Sequence, residues 1–270
     1  MTNLNFNRRD FSVGETPLSI ASEDFNGDAN LDLVVVNLDG NSISVLSGNG
    51  TGDFSNRTDI AVGATPTFVA VGDFNNNQIL DLAVANNVDN NVSILLGDGL
   101  GSFNTPTNFN VGIGPVPLTV GDFNNDNNQD IAVANFEGDD VSILLGDGTG
   151  DFTLNTLSFP VGDGPFSIVT GNFDNDNFLD LAVANSFSDD VSVLFGDGLG
   201  NFGSRTDFPV GILPPSIAVG DLNEDGHEDL AVANFNGDTI SVLVATPEPT
   251  SILGFLLLGL LGITVKLRKK

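Results

Sequence analysis

Five short stretches of this chain set oxygen-bearing side chains at alternate positions: DFNGDANLD from Asp24, DFNNNQILD from Asp73, DFNNDNNQD from Asp122, NFDNDNFLD from Asn172 and DLNEDGHED from Asp221. Positions one, three, five and nine are Asp24, Asn26, Asp28 and Asp32 in the first, and Asp73, Asn75, Asn77 and Asp81 in the second. They are Asp122, Asn124, Asp126 and Asp130 in the third, Asn172, Asp174, Asp176 and Asp180 in the fourth, and Asp221, Asn223, Asp225 and Asp229 in the fifth. Two carboxylates about 4 Å apart repel by roughly 1 kcal/mol even in water. A Ca²⁺ ion reverses that sign. It takes roughly six to eight oxygens in flexible geometry, and alternate loop residues with a backbone carbonyl near position seven supply them. Mg²⁺ demands a tighter octahedron and ranks second. Charge grades the sites, so the second loop, with only Asp73 and Asp81 ionised, should bind most weakly. The same residue types also build side-chain-to-backbone turns, and a single loop would not decide. Five copies in register favour calcium, up to five ions in all.

Loops of this kind need elements to hold them, and those elements repeat as well. Successive loops start 49, 49, 50 and 49 residues apart. Each is followed by LAVAN or a close variant, then in most units a VSILLGDG-like run, a Gly and a Phe, and a V-G-x-x-P turn. A fixed period of this length signals a repeat architecture. Each unit reads as four short strands, in the second at about Thr67 to Asp73, Leu82 to Asn86, Val92 to Leu96 and Phe103 to Val111. Alternation puts Leu82 and Val84 on one face and Ala83 and Ala85 on the other, so both faces must be covered. Four-stranded sheets covered on both faces describe the blades of an all-β propeller, here of five blades over residues 1–245. Residues Asn5 to Val13 (NFNRRDFSV) match the fourth strand at Ser55 to Val62, and the last unit lacks a fourth strand. The expectation is a closed ring in which Phe6 to Val13 pair near Ile240 to Val244.

The loop, the LAVAN strand and the period together resemble FG-GAP (VCBS-type) repeats, as in the calcium-bearing blades of integrin α-subunit propellers. Phe54 with the turn Gly63-Ala64-Thr65-Pro66 is part of that likeness, which extends over residues 5–244. The resemblance implies Ca²⁺ held between the first and second strands of each blade. Two departures stand out. Integrin-like propellers usually have seven blades, and the Gly expected after the third acidic position occurs only as Gly226, with Ala29, Gln78, Asn127 and Asn177 elsewhere.

Composition excludes several functions. The formal charge is −28, with 36 acidic residues against 8 basic ones. Such a body repels nucleic acid. There is no Cys, hence no disulfide, thiolate metal site or thiol nucleophile. His227 is the only histidine, which argues against a histidine-based triad. The Gly-Asp-Gly turns at Gly97, Gly146 and Gly196 precede no helix and read as hairpin turns rather than phosphate cradles. The chain is therefore expected to be no enzyme, with a propeller-scaffold carbohydrate-active enzyme or a lectin as the alternative.

From Thr246 the composition changes. Pro247-Glu248-Pro249 precede an apolar run from Ile252 to Val265, and Lys266, Arg268, Lys269 and Lys270 close the chain. As a helix, Ser251 to Leu267 would extend roughly 25 Å, near a hydrocarbon core of ~30 Å. Its terminal cations favour the cytoplasmic side. The order resembles the PEP-CTERM sorting signal of bacterial exopolysaccharide producers, making residues 246–270 a sorting and membrane-anchor segment. That resemblance implies export, transient anchoring through a transmembrane helix and processing by an exosortase. The start of the chain, MTNLNFNRRDFSV, shows no apolar signal region, so a missing upstream segment or another export route is expected. The combined reading is a calcium-binding extracellular or cell-surface module for adhesion to a matrix glycan or protein.

Overall fold

Short runs of Val, Ile, Leu and Ala, cut by Gly, Asn and Asp turns, fold this chain into strands throughout. The computed structural model describes residues 7–203 and 205–246. Blade one holds β1 (Pro17–Glu23), β2 (Asp32–Asn37), β3 (Ser42–Ser47) and β4 (Asn56–Ala61). Blade two holds β5 (Pro66–Gly72), β6 (Asp81–Asn86), β7 (Asn91–Leu95) and β8 (Thr107–Asn110). Blade three holds β9 (Pro115–Gly121), β10 (Asp130–Asn135), β11 (Asp140–Gly146), β12 (Phe152–Leu154) and β13 (Phe159–Pro160). Blade four holds β14 (Pro165–Gly171), β15 (Asp180–Asn185), β16 (Asp190–Leu194) and β17 (Thr206–Pro209), and blade five β18 (Ser216–Gly220), β19 (Asp229–Asn234) and β20 (Thr239–Leu243). Every sheet is an antiparallel meander in sequence order.

The expected four-strand unit is present, with one shortened element. Phe103 makes only an isolated bridge to Gly97, and the regular fourth strand of blade two starts at Thr107. Pro106 lies between them and has no N–H to give a ladder. In blade three the outer strand is split into β12 and β13, both on β11.

Both sheet faces are buried, each against a different neighbour. Ala83, Ala85, Val92 and Ile94 of blade two pack on Leu118, Ile131, Val133 and Leu144 of blade three. Ala132, Ala134, Val141 and Ile143 of blade three meet Ile168, Leu181, Val183 and Leu194 of blade four in the same way. Small residues on one face let the larger ones of the next blade approach, as close packing requires. The first strands β1, β5, β9, β14 and β18 pack successively on one another. Near the acidic loops a phenylalanine from each following blade locks the junction. Phe103 sits on Phe25, Phe152 on Phe74 and Phe202 on Phe123, all T-shaped with centroids 5.6–5.7 Å apart.

Among the described residues the closed five-bladed ring is not formed: residues 7–13 carry no strand and β20 pairs only with β19. The end faces are bare as a result. Ile20 is 63% exposed although its counterparts Val69, Leu118, Ile168 and Ile217 are buried, and Val242 is 46% exposed although Val193 is buried. Among the described residues no helix is long and apolar enough to cross a membrane. The expected C-terminal helix, Ser251 to Leu267, lies outside the described residues.

The aromatic lock gives a direct test. Phe152→Ala should cost about 3–5 kcal/mol in urea unfolding, because Phe152 is buried between Phe74 and Phe109. Phe187→Ala, at a site 64% exposed, should change stability by no more than about 0.5 kcal/mol.

Candidate functional site: the acidic loops

Each acidic loop joins the first strand of a blade to the second and is built on one hydrogen-bond plan. At position one, Asp122 accepts from the N–H groups of Asp126 (3.1 Å) and Asn127 (2.9 Å). At position three, Asn124 Oδ1 accepts from Asp126 N–H at 3.0 Å, and at position five Asp126 accepts from Asn128 N–H at 2.8 Å. The fifth loop repeats the plan through Asp221, Asn223 and Asp225. In the first, Asp24 takes Gly27, Asp28 and Ala29 N–H while Asn26 and Asp28 take their neighbours two residues on. In the second, Asp73 takes Asn77 and Gln78 N–H, and Asn77 takes Ile79 N–H. In the fourth, Asp174 takes Asp176 N–H and Asp176 takes Phe178 N–H.

The missing glycines leave the turns intact. Ala29, Gln78, Asn127, Asn177 and Gly226 all adopt left-handed conformations, with φ from 66° to 87°. In a non-glycine residue that conformation costs about 1–2 kcal/mol, which the paired N–H bonds to the position-one carboxylates of the first three loops offset.

Position nine behaves differently from the other three. Asp32, Asp81, Asp130, Asp180 and Asp229 are fully buried. One oxygen of each accepts from the residue at position two (Phe25, Phe74, Phe123, Phe173 or Leu222). The other accepts from a residue at or just past the end of the third strand (Gly48, Gly97, Gly146, Gly196 or Ala245) at 2.7–2.8 Å. This aspartate therefore stitches the loop to the sheet. Burial, more than anything else, pushes Asp130 and Asp180 up to about 6. The carboxylates of Asp126 and Asp122 add to it for Asp130, and those of Asp174 and Asp176 for Asp180. Asp81 is raised for the same first reason, with Asp73 contributing. By contrast, Asp24 is held low by the Ala29 N–H and Asp225 by the His227 N–H.

Neighbouring loops touch through residues that spacing alone did not flag. At position eight, Gln129 Oε1 accepts from Asp73 N–H at 2.7 Å, and Glu228 Oε2 from Asn172 N–H at 2.6 Å. The Gly-Asp-Gly turns at Gly97 and Gly196 are closed by antiparallel bridges to Phe103 and Phe202. These turns and the one at Gly146 dock on the loop of the preceding blade, with Gly101, Gly150 and Gly200 N–H donating to the carbonyls of Phe25, Phe74 and Phe123. At the opposite end of the strands the last residue of LAVAN is structural: a Cβ at Gly63 would come within 2.6 Å of Asn86. Its recurrence in all five units, as Asn37, Asn86, Asn135, Asn185 and Asn234, is the signal that would have found it.

The donor set of the loops is oxygen alone, which fits a hard cation. Among the described residues no three His, Cys, Asp or Glu side chains converge on one point. Two loop oxygens nevertheless lack any donor, since Asn75 Oδ1 and Asn172 Oδ1 are buried without a hydrogen-bond partner. Such an acceptor costs free energy until a donor or a cation meets it.

A family model described as FG-GAP-like repeat matches residues 24–84, 73–133, 122–183 and 172–232. No curated protein matches this chain in sequence. Among solved structures, virginiamycin B lyase from Staphylococcus aureus superposes with a TM-score of 0.58 at 18% identity, over 84% of this chain and 66% of that one. The periplasmic gluconolactonase of Pseudomonas aeruginosa gives 0.59 at 13% identity, over 85% and 57%. An Agrocybe aegerita lectin that recognises non-reducing terminal N-acetylglucosamine gives 0.53 at 17% identity, over 86% and 66%. The chain thus spans 57–66% of the length of these three proteins. At these identities they establish a common β-propeller-like scaffold. They also correct the expectation that the chain is no enzyme. A lyase and a lactonase share the scaffold, so the scaffold is compatible with catalysis, and by itself it does not establish catalysis.

The raised position-nine aspartates set a pH dependence. An unfolded Asp titrates near ~3.9, so the stability from a native carboxyl at about 6 is fully present below pH ~4 and lost as pH rises through about 6. With EDTA present, the urea midpoint should be higher at pH 5 than at pH 7. An equal or lower midpoint at pH 5 would contradict the assignment.

Proposed function

The chain belongs to the FG-GAP-like repeat family, and on that premise we propose that it is a calcium-binding surface or secreted module acting in adhesion to an extracellular glycan or protein. The observation that carries the metal half is a buried carboxylate with further carboxylates on its loop: burial first, and Asp122 and Asp126 after it, disfavour ionisation of Asp130, and Asp174 and Asp176 add to burial in the same way at Asp180. A divalent cation would relieve that repulsion, and the orphaned Asn75 and Asn172 oxygens support the same ligand sets. Positions one, three, five and nine of each loop would hold it, with Ca²⁺ favoured over Mg²⁺ for its tolerance of irregular oxygen cages. When bound, the ion would supply charge neutralisation and fix the loop.

Residues 246–270 are proposed as the sorting and anchoring segment, processed by an exosortase-type enzyme and placing the module outside the cell. The support is the order of Pro-Glu-Pro, apolar run and basic end in the sequence.

A specific surface favours glycan over other ligands. The turns at the strand ends opposite the acidic loops carry Phe136, Phe187 and Phe235, and Phe166 stands beside them. Phe187 and Phe235 are exposed, and Phe136 meets Phe166 and Phe187 edge-on at 5.9 and 5.3 Å. Exposed aromatic faces interleaved with acceptors such as Glu137, Asp163 and Asp189 suit the apolar face and hydroxyls of a neutral sugar. The charge of −28 disfavours an anionic one.

A glycan array tests this reading. Binding to neutral glycans that falls at least tenfold with Phe187→Ala, at unchanged thermal stability, is the expected result. Uniformly blank arrays, or binding indifferent to Phe187, would defeat it.

A further inference from the structure

Blade five lacks three things that the other blades have. Among the described residues β20 has β19 on one side and no strand on the other, whereas β3, β7, β11 and β16 each carry an outer strand. Its forward face, Ile240, Val242 and Val244, lies open, although the matching Val191 and Val193 of blade four are buried. Between blades four and five lies a cavity of about 790 Å³, bordered by Phe173, Phe195 and Phe208. That place is where Phe103, Phe152 and Phe202 lock the three earlier junctions.

Blade one holds the counterparts. Residues 7–13 join no sheet, yet they make the contacts of an outer strand belonging to a preceding blade. Phe11 packs edge-on against Phe54 at 5.7 Å, as Phe109 does on Phe152 and Phe159 on Phe202, both at 5.4 Å. Gly14 N–H donates to Asn37 Oδ1 as Gly211 N–H donates to Asn234 Oδ1. The Arg8–Asp10 pair reproduces Arg57–Asp59 and Arg205–Asp207. The backward face of blade one, with Leu18 and Ile20, is bare. Charge is complementary as well: Arg8 and Arg9 are two of only four basic residues before Lys266, and blade five offers Glu228 and Asp238.

Both halves of a junction are thus present in one chain and, among the described residues, unmated within it. We propose that they mate between copies: residues 7–13 of one protomer add antiparallel to β20 of another, and blade one of the first covers Ile240, Val242 and Val244 of the second. In blade four, Asp190, Val191, Ser192 and Val193 face Pro209, Phe208, Asp207 and Thr206. Transferred to the new junction, that register sets Thr239 against Ser12, Ile240 against Phe11, Ser241 against Asp10 and Val242 against Arg9. Added main-chain bonds give such a strand affinity, and the pockets for alternate side chains give it selectivity. The contact uses two different surfaces, so copies join head to tail.

The absence of cysteine makes the test clean. Ser12→Cys and Thr239→Cys are made in separate chains, mixed and mildly oxidised. The proposal expects a disulfide-linked dimer in the mixture, and a light-scattering mass above one chain that Val242→Asp returns to one chain. Two results would overturn it. One is a single-chain mass with no cross-link in the mixture. The other is the double variant closing its disulfide within one chain, which would mean that each copy mates with itself.

Discussion

A buried carboxylate sits at the joint of every blade. Asp32, Asp81, Asp130, Asp180 and Asp229 each take one N–H from the loop and one from the end of the third strand. Remove that pair of bonds and the loop has no fixed position over the sheet, nor does the following turn. Because the group is out of water, its charge is costly unless those bonds and a further positive charge meet it. The two N–H bonds meet part of the cost. The raised values of Asp130 and Asp180 show that part remains. A cation held by positions one, three, five and nine would sit where that deficit is largest.

The same joint links the chemistry to the assembly of the blades. Position two of each loop, tied down by the buried aspartate, is a phenylalanine in four of the five units. In the first three that ring receives the phenylalanine of the next blade, and its carbonyl receives the Gly N–H of the next turn. Ordering a loop therefore orders the junction beside it. The opposite ends of the strands carry the aromatic surface, so the proposed metal and glycan regions occupy different ends of the same rigid sheets.

Much of this was legible in the sequence because the repeat displays each position five times. Strand order, the two-sided burial of LAVAN and the hairpin role of the Gly-Asp-Gly turns all follow from period and alternation. Other features were hidden for identifiable reasons. Alternate spacing marks position nine as a fourth loop oxygen, and only the sheet behind it reveals that Asp130 is also a buried stitch. Gln129 and Glu228 bridge adjacent loops, but position eight is leucine in the other three units, so no pattern marks them. Of the likeness of residues 5–13 to an outer strand, the described part keeps one contact, since Phe11 docks on Phe54 as such a strand would. Whether it meets β20 of its own chain depends on the curvature accumulated over five blades, which no local pattern encodes. Residue counts of His and Cys did not decide activity either, because the scaffold is shared with a lyase and a lactonase.

The central claim is that the loops exist to hold calcium around the position-nine carboxylates. Isothermal titration of the EDTA-stripped and dialysed protein with Ca²⁺ at pH 7 tests it most directly. The account predicts saturable binding of several ions per chain, up to one per loop, with one fewer after Asp126→Ala. No saturable heat and no retained calcium on equilibrium dialysis, from a protein shown to be folded, would contradict it.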